Sequence, residues 1–341
     1  MRPVWDELST APRTRSGPPP RVDVLVVGAG IVGLATAYAC LRRGLSVAVA
    51  ERSDRIAPAS SGRAGGLLVP RLLALEHPEV AELAAQSCAL WRSWDAELAH
   101  APGVRQMHWM ALLPFPPPDG AAPPPGMQLL DATAARLHEP ELGEVLGVLR
   151  IEDQGQVDPL AACHALAAQV DVHVGVEVHP GAVHAGVTVW CTGEAPIPVR
   201  QSWVKGHLLA TAPVPFRLGH GLSAPDALVV QLADGRLVCG GTLDEGDDTA
   251  VDDAVVARIR DTVARLLPQT KDVPTTHAWA CLRPRGATDL PVVHRIDEWT
   301  FATWGHFRNG ITFAPAIGSA LAGWIATGEQ PALLAPFAHA S

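Results

Sequence analysis

The chain has 341 residues, of which 48% are hydrophobic and 18% charged, with a formal net charge of −9. This is globular composition, which excludes a disordered chain, and the length suffices for one large or two medium domains with sizeable cores. The acidic balance argues against nucleic acid or an anionic membrane as the main partner, and no apolar run approaches the roughly 20 residues needed to span a bilayer.

Met1 to Arg21 is polar and contains Pro18-Pro19-Pro20. It lacks the apolar stretch of a secretory signal and reads as a flexible lead. Val22 to Val27 is a short valine-rich run followed at once by Gly28, the form of a buried parallel strand. Apolar residues then recur at helical spacing from Ile31 to Arg43, and Gly44 closes the segment as a C′ residue. Ser46 to Ala50 is a second strand-like run, followed by Glu51. The opening is thus a βαβ unit.

Glu79 to His100 has the stripe of an amphipathic helix, and Pro114 to Gly126 reads as a surface loop. Asp158-Pro159 is a cap-then-proline helix start, with the helix running to about Val170. Val187 to Cys191, ahead of Thr192-Gly193, is another buried strand. Leu228 to Val230 and Arg236 to Cys239 flank Asp234-Gly235 as a hairpin. Helices are expected over Ala254 to Leu267 and Ile317 to Ala326. Six scattered cysteines with no CxxC fit reduced thiols in a cytoplasmic protein, and no metal site is expected.

Gly28-Ala29-Gly30-Ile31-Val32-Gly33 is GxGxxG in its full strand–turn–helix setting. Gly28 permits the tight turn, Gly30 lets the backbone approach a pyrophosphate, and Gly33 lets helix and strand pack closely. The helix N-terminus at Ile31 and Val32 offers free N–H groups to phosphates. Glu51, with Arg52 beside it, lies where an acid accepts ribose hydroxyls. These residues alone do not separate FAD from NAD.

Three further segments resemble the glycine oxidase and D-amino-acid oxidase family of FAD-dependent oxidoreductases. They are Ala59-Ser60-Ser61-Gly62-Arg63-Ala64-Gly65-Gly66; Leu282-Arg283-Pro284 with Asp289-Leu290-Pro291; and Gly305-His306-Phe307-Arg308-Asn309-Gly310-Ile311. Weaker matches are Val157-Asp158-Pro159 and Val204-Lys205-Gly206-His207. The likeness runs from Val22 to about Phe337. It implies an α/β fold in which a Rossmann-like FAD-binding domain (22–89, 150–203 and 283–338) is interleaved with a mainly antiparallel α+β substrate domain (90–149 and 204–282).

By resemblance, Ser60, Ser61, Ala64, Gly65 and Gly66 run beside pyrophosphate and flavin, Val178 and Gly193 border the cofactor, and Phe307 to Ile311 face the flavin. Arg283 and Arg308 would hold a substrate carboxylate, bidentate and planar, and His306 stands near the ring. The implied activity is FAD-dependent oxidation of an amine or small amino acid to an imine, then keto acid or aldehyde. Oxygen or another acceptor takes the electrons, and oxygen gives hydrogen peroxide. Competing readings are an amino-acid dehydrogenase, a sarcosine-type secondary-amine oxidase, and a non-catalytic flavin-binding interaction subunit. A homo-oligomer remains open. An NAD-dependent dehydrogenase would leave the segment from His306 to Ile311 unexplained. Two departures stand out. Tyr38 is the only tyrosine, so Leu228 occupies the hairpin position where related glycine oxidases carry one. Cys281 resembles the flavin-attachment cysteine of sarcosine-oxidase relatives, or is a small buried thiol.

Overall fold

A computed structural model describes residues 3–114, 122–179, 185–224 and 227–338. Most of the expected loop 114–126 lies outside them. The chain divides into two compact units. One comprises Trp5–Val104, Val157–Val204 and Leu282–Ser341, the other Met1–Val4, Arg105–Gln156 and Lys205–Cys281.

The first of these units is built on a seven-stranded sheet. Its strand order is Arg15–Ser16, Asp171–Val174, Val47–Glu51, Val22–Val27, Ala185–Gly193, Thr300–Trp304 and Val292–Arg295. All pairs are parallel except the last, which is antiparallel. Val22–Val27 lies in the middle, with Val24, Val26 and Val27 in register with Val187, Val189 and Trp190 on one side and Val47, Val49 and Ala50 on the other. Strands covered on both faces need apolar residues on both sides, which explains the valine-rich run from Val24 to Val27. The first helix, Ile31–Leu41, packs against the closing helix, Gly310–Thr327. Gly318 makes this close contact necessary to its identity: a Cβ there would stand 2.7 Å from the carbonyl carbon of Ala35.

The closing helix begins seven residues before the expected Ile317, and Pro315 lies inside it. Proline cannot donate to the carbonyl four residues back. Here that carbonyl is Ile311, and the buried indole of Trp91 donates to it at 2.8 Å instead. A side chain from the helix Ala81–Glu97 therefore replaces the missing backbone bond. The closing helix also has the length and mean apolarity of a membrane span, but 61% of it is buried in the fold. Interspersed Thr and Ser residues kept it from reading as a continuous apolar run.

The stretch ahead of Val22, expected as a flexible lead, contains short regular elements from residue 4 onward. It holds a 3-10 turn, Val4–Glu7, and the edge strand Arg15–Ser16. Elsewhere the expected elements form with small shifts at their ends. The helix after Asp158 runs Pro159–Ala167, with the Asp158 carboxylate accepting from the Leu160 and Ala161 N–H groups.

The other unit carries a mainly antiparallel sheet in which Ala227–Gln231 and Leu237–Gly240 form the expected hairpin, with Gly235 at φ +95° in its turn. The helix Asp253–Leu266 lays Val255, Ile259, Val263 and Leu266 on a core that includes Met110, Leu209, Val229 and Leu237. Asp252 caps it through the Ala254 and Val255 N–H groups.

Candidate functional site

The site grows from the end of Val22–Val27. Gly28 has φ +107°, and a Cβ there would lie 2.7 Å from the Cys191 carbonyl oxygen. At Gly33 a Cβ would lie 2.0 Å from the Gly28 oxygen. Both positions exclude any side chain by contact with backbone. Gly30 differs, because a Cβ there would meet only Ser61 Oγ, at 3.3 Å. Its surroundings are thus open on the side where a ligand would approach.

The first helix starts without a side-chain cap. Ile31 N–H donates to Ser61 Oγ at 3.0 Å, while the N–H groups of Val32 and Gly33 have no protein acceptor among the described residues. Unpaired donors at the positive end of a helix suit a phosphate. Glu51 is only 7% exposed. One of its oxygens accepts from Ala29 N–H and the other from Ser53 N–H, each at 2.9 Å. The carboxylate is thereby fixed at the strand end with lone pairs to spare for hydroxyl donors. Arg52 is exposed, and Val178 is half-buried against the cluster of Leu25, Val27, Ala48 and Trp304.

The small-residue loop after Glu51 is braced throughout. Ser60 Oγ donates to the Leu282 carbonyl at 2.6 Å. Gly62 and Gly66 would collide with the Ala57 and Val157 carbonyls if they carried a Cβ, and Val157 N–H donates to the Gly66 oxygen at 2.8 Å. Ala64 accepts the indole N–H of Trp5 at 3.0 Å. Ser60, Ser61, Ala64 and Gly65 remain partly exposed.

The third wall joins Gly193, Arg283 and the turn from Gly305 to Ile311. Gly193 has φ +82°, and its missing side chain leaves Pro284 Cγ 3.2 Å from where a Cβ would be. Gly193 also accepts from Gly305 N–H. Phe307 N–H donates to the Pro284 oxygen at 2.9 Å, and Arg285 bridges to His306. Asn309 N–H donates to the His306 oxygen, after which the closing helix begins at Gly310. Thr312 Oγ1 donates to the Leu67 oxygen at 3.0 Å, tying this helix start to the end of the small-residue loop. The fold thus gathers Gly28 to Gly33, Glu51, Ser60 to Gly66, Gly193, Arg283 and Phe307 to Ile311 within one unit.

Not every candidate points to the same task. Arg308 is exposed and ion-paired with Glu76, its guanidinium 5.5 Å from the Phe307 ring centroid. His306 is buried, and burial pushes its imidazole down to about 4, so it is neutral near pH 7. Its Nε2 lies 3.1 Å from Thr303 Oγ1. Arg283 is half-buried one residue ahead of Pro284. Cys281 and Leu228 belong to the other unit, Cys281 buried and Leu228 partly so. Two supporting residues escaped sequence reasoning, Trp5 and Trp91. The signal for Trp91 was available in Pro315, which orphans a carbonyl that something must satisfy; nothing in the sequence pointed to Trp5.

The open side of Gly30, the free donors of the first helix and the oriented Glu51 carboxylate fit an adenine dinucleotide, and FAD in particular accords with the relatives of this chain. The model of the DAO family, FAD dependent oxidoreductase, matches residues 23–324. Glycine oxidase of Bacillus licheniformis is 28% identical over 349 residues, covering 89% of this chain and 93% of that protein. The bifunctional protein ThiO/ThiG of Trichormus variabilis is 26% identical over 92% of this chain, which spans only 54% of that relative's length. Among solved structures, glycine oxidase from Geobacillus kaustophilus has a TM-score of 0.83 at 24% identity, covering 95% of this chain and 100% of that one. L-proline dehydrogenase from P. horikoshii has a TM-score of 0.81 at 19% identity, covering 93% and 96%. These structures share the fold, and the family match extends over most of the sequence: the chain belongs to the DAO family of FAD-dependent oxidoreductases.

Proposed function

We propose that this protein oxidises a small amino acid or amine to the imine, with oxygen as electron acceptor. The observation that carries the reading is the coupling of Arg283 to the turn ahead of the closing helix. The Pro284 oxygen holds Phe307 N–H at 2.9 Å, and the backbones of Arg285 and His306 form an antiparallel β-bridge. A carboxylate bound by Arg283 is then held in fixed register with that helix N-terminus.

FAD, when bound, supplies the hydride acceptor. The remaining work falls to the protein. Gly28 to Gly33 receive the pyrophosphate on the first helix, Glu51 accepts ribose hydroxyls, and Ser60 to Gly66, Val178 and Gly193 border the cofactor. The N-terminal turn of the closing helix, from Asn309 to Ile311, would offer partial positive charge to the bound cofactor. Arg283 orients the substrate by a bidentate, charge-assisted pair. Arg308 joins it only by leaving Glu76, and His306 acts as a neutral buried support for the turn rather than as a base. All six cysteines are buried free thiols, and burial pushes those of Cys40, Cys88 and Cys191 up to about 12. Such inert thiols support a reducing, cytoplasmic setting.

The test is an absorption spectrum of the purified protein, repeated anaerobically with a panel of primary and secondary amines and amino acids. Flavin bands that bleach with a primary amino acid and return in air with hydrogen peroxide support the proposal. Bleaching that air does not reverse points to a dehydrogenase, and bleaching by N-methyl amines alone to a sarcosine-type enzyme. Flavin that no compound bleaches overturns the reading.

A further inference from the structure

The segment ahead of the strand Val22–Val27 is tied to its unit at Trp5, Ser9, Arg15 and Gly17. Trp5 is 1% exposed, and its indole N–H reaches the Ala64 oxygen at 3.0 Å. Ser9 Oγ meets His164 Nδ1 at 2.7 Å on the helix Pro159–Ala167. Arg15 pairs with Asp171 at 2.6 Å, and Gly17 oxygen lies 2.9 Å from His173 Nδ1. Arg15 and Ser16 add a parallel edge to His173 and Val174. The segment therefore runs as a strap from the sheet edge, over a helix, to the small-residue loop.

Its end point matters. Ala64 closes the 3-10 turn Ser61–Arg63, its N–H donating to the Ser61 oxygen. Ser61 Oγ in turn accepts from Ile31 N–H at the head of the first helix. One short turn of chain thus links the Trp5 bond to the head of the first helix.

We propose that Trp5 is a positioning residue for the FAD-binding loop, held in place by the strap from 5 to 17, so that strap order and FAD binding stabilise each other. The inference rests on the reading of Ser60 to Gly66 as a wall of the cofactor site. A loop held in its bound shape loses less freedom when the cofactor arrives, and linkage makes the effect reciprocal: whatever the strap adds to FAD affinity, FAD returns to strap order.

The experiment combines FAD titration of deflavinated protein with trypsin digestion, which reads the exposed Arg13, Arg15 and Arg21. Trp5→Phe keeps an aromatic ring and removes the donor, and should raise the Kd for FAD about fivefold, the worth of one hydrogen bond. Trp5→Ala should raise it more than tenfold. In the unaltered protein FAD should slow cleavage at Arg13 and Arg15, and in Trp5→Phe this protection should shrink by the same factor as the affinity. Arg15→Ala, at the far end and exposed, repeats the titration and the cleavage at Arg13 without disturbing the core. Kd values within twofold of the unaltered protein, with cleavage indifferent to FAD, would overturn the strap even if melting temperatures fell. Ser61→Leu separates the two claims, since it fills the space beside Gly30. If it leaves FAD binding unchanged, the loop is no cofactor wall and the underlying reading fails; if it weakens binding while the Trp5 variants do not, only the strap fails.

Discussion

Replacing Trp91 by Phe isolates the bond that lets a proline sit within the closing helix. Trp91 is fully buried, and its Nε1 donates to the Ile311 oxygen at 2.8 Å. Without it, that carbonyl is buried with no donor, because Pro315 has no N–H to offer. An unsatisfied buried acceptor costs about 1–3 kcal/mol. The smaller ring leaves a void and loosens the edge contact with Trp94, at 6.4 Å between centroids, for about 1–2 kcal/mol more. The expected loss is therefore about 2–5 kcal/mol, measured as a shift in urea midpoint of the FAD-loaded protein at constant m. Pro315→Ala provides the control. It restores a backbone N–H to the Ile311 carbonyl, so Trp91→Phe in that background should cost only the packing part. The double-mutant cycle should show coupling of about 1–3 kcal/mol, the part that belongs to the orphaned carbonyl. Equal costs in both backgrounds would show that the indole N–H does not replace the helical bond.

Gly30→Val should yield colourless protein that takes up no FAD, since the branched side chain fills the approach beside Ser61 Oγ; a variant with full occupancy refutes the phosphate site. Arg283→Ala should raise KM for a carboxylated substrate, with a loss of about 2–4 kcal/mol in kcat/KM, and an unchanged value removes Arg283 from the substrate site. The buried His306 gives a pH dependence of known sign. Its folded-state value, about 4, is below the ordinary 6.5, so the unfolded chain binds the proton more readily. Stability from this residue is complete above about pH 6.5 and is lost as pH falls toward 4, by about 3 kcal/mol in all. His306→Gln should flatten that part of the profile in denaturation midpoints at pH 5 and 7.5, and an unaltered slope would assign the acid sensitivity elsewhere.

The parts of the fold legible in the sequence are those governed by local stereochemistry. Gly28 and Gly33 stand against backbone atoms that no side chain could tolerate, so the fingerprint and the strand and helix around it were recognisable residue by residue. Asp158 and the Asp234-Gly235 turn were likewise readable, because caps and tight turns are decided within a few residues. What was not legible depends on distant partners. Arg308 resembles a carboxylate ligand until Glu76, 232 residues away, takes its guanidinium. Pro315 reads as a helix breaker until Trp91 supplies the missing donor. The polar segment before Val22 lacks an apolar pattern, and the partners of its Trp5, Ser9 and Arg15 lie far away in sequence.

The pairing of the first and closing helices has a consequence for how the protein is made. Ten of the 11 residues of Ile31–Leu41 are buried, and the closing helix against which it packs does not begin until Gly310. At the roughly 5–20 residues per second of a ribosome, the first helix waits about 15–50 s for its cover. During that interval an apolar helix and the valine strands beside it are open to other chains, so the nascent protein is a natural client for chaperones. Premature termination anywhere before the closing helix should give an aggregating fragment rather than a weaker enzyme.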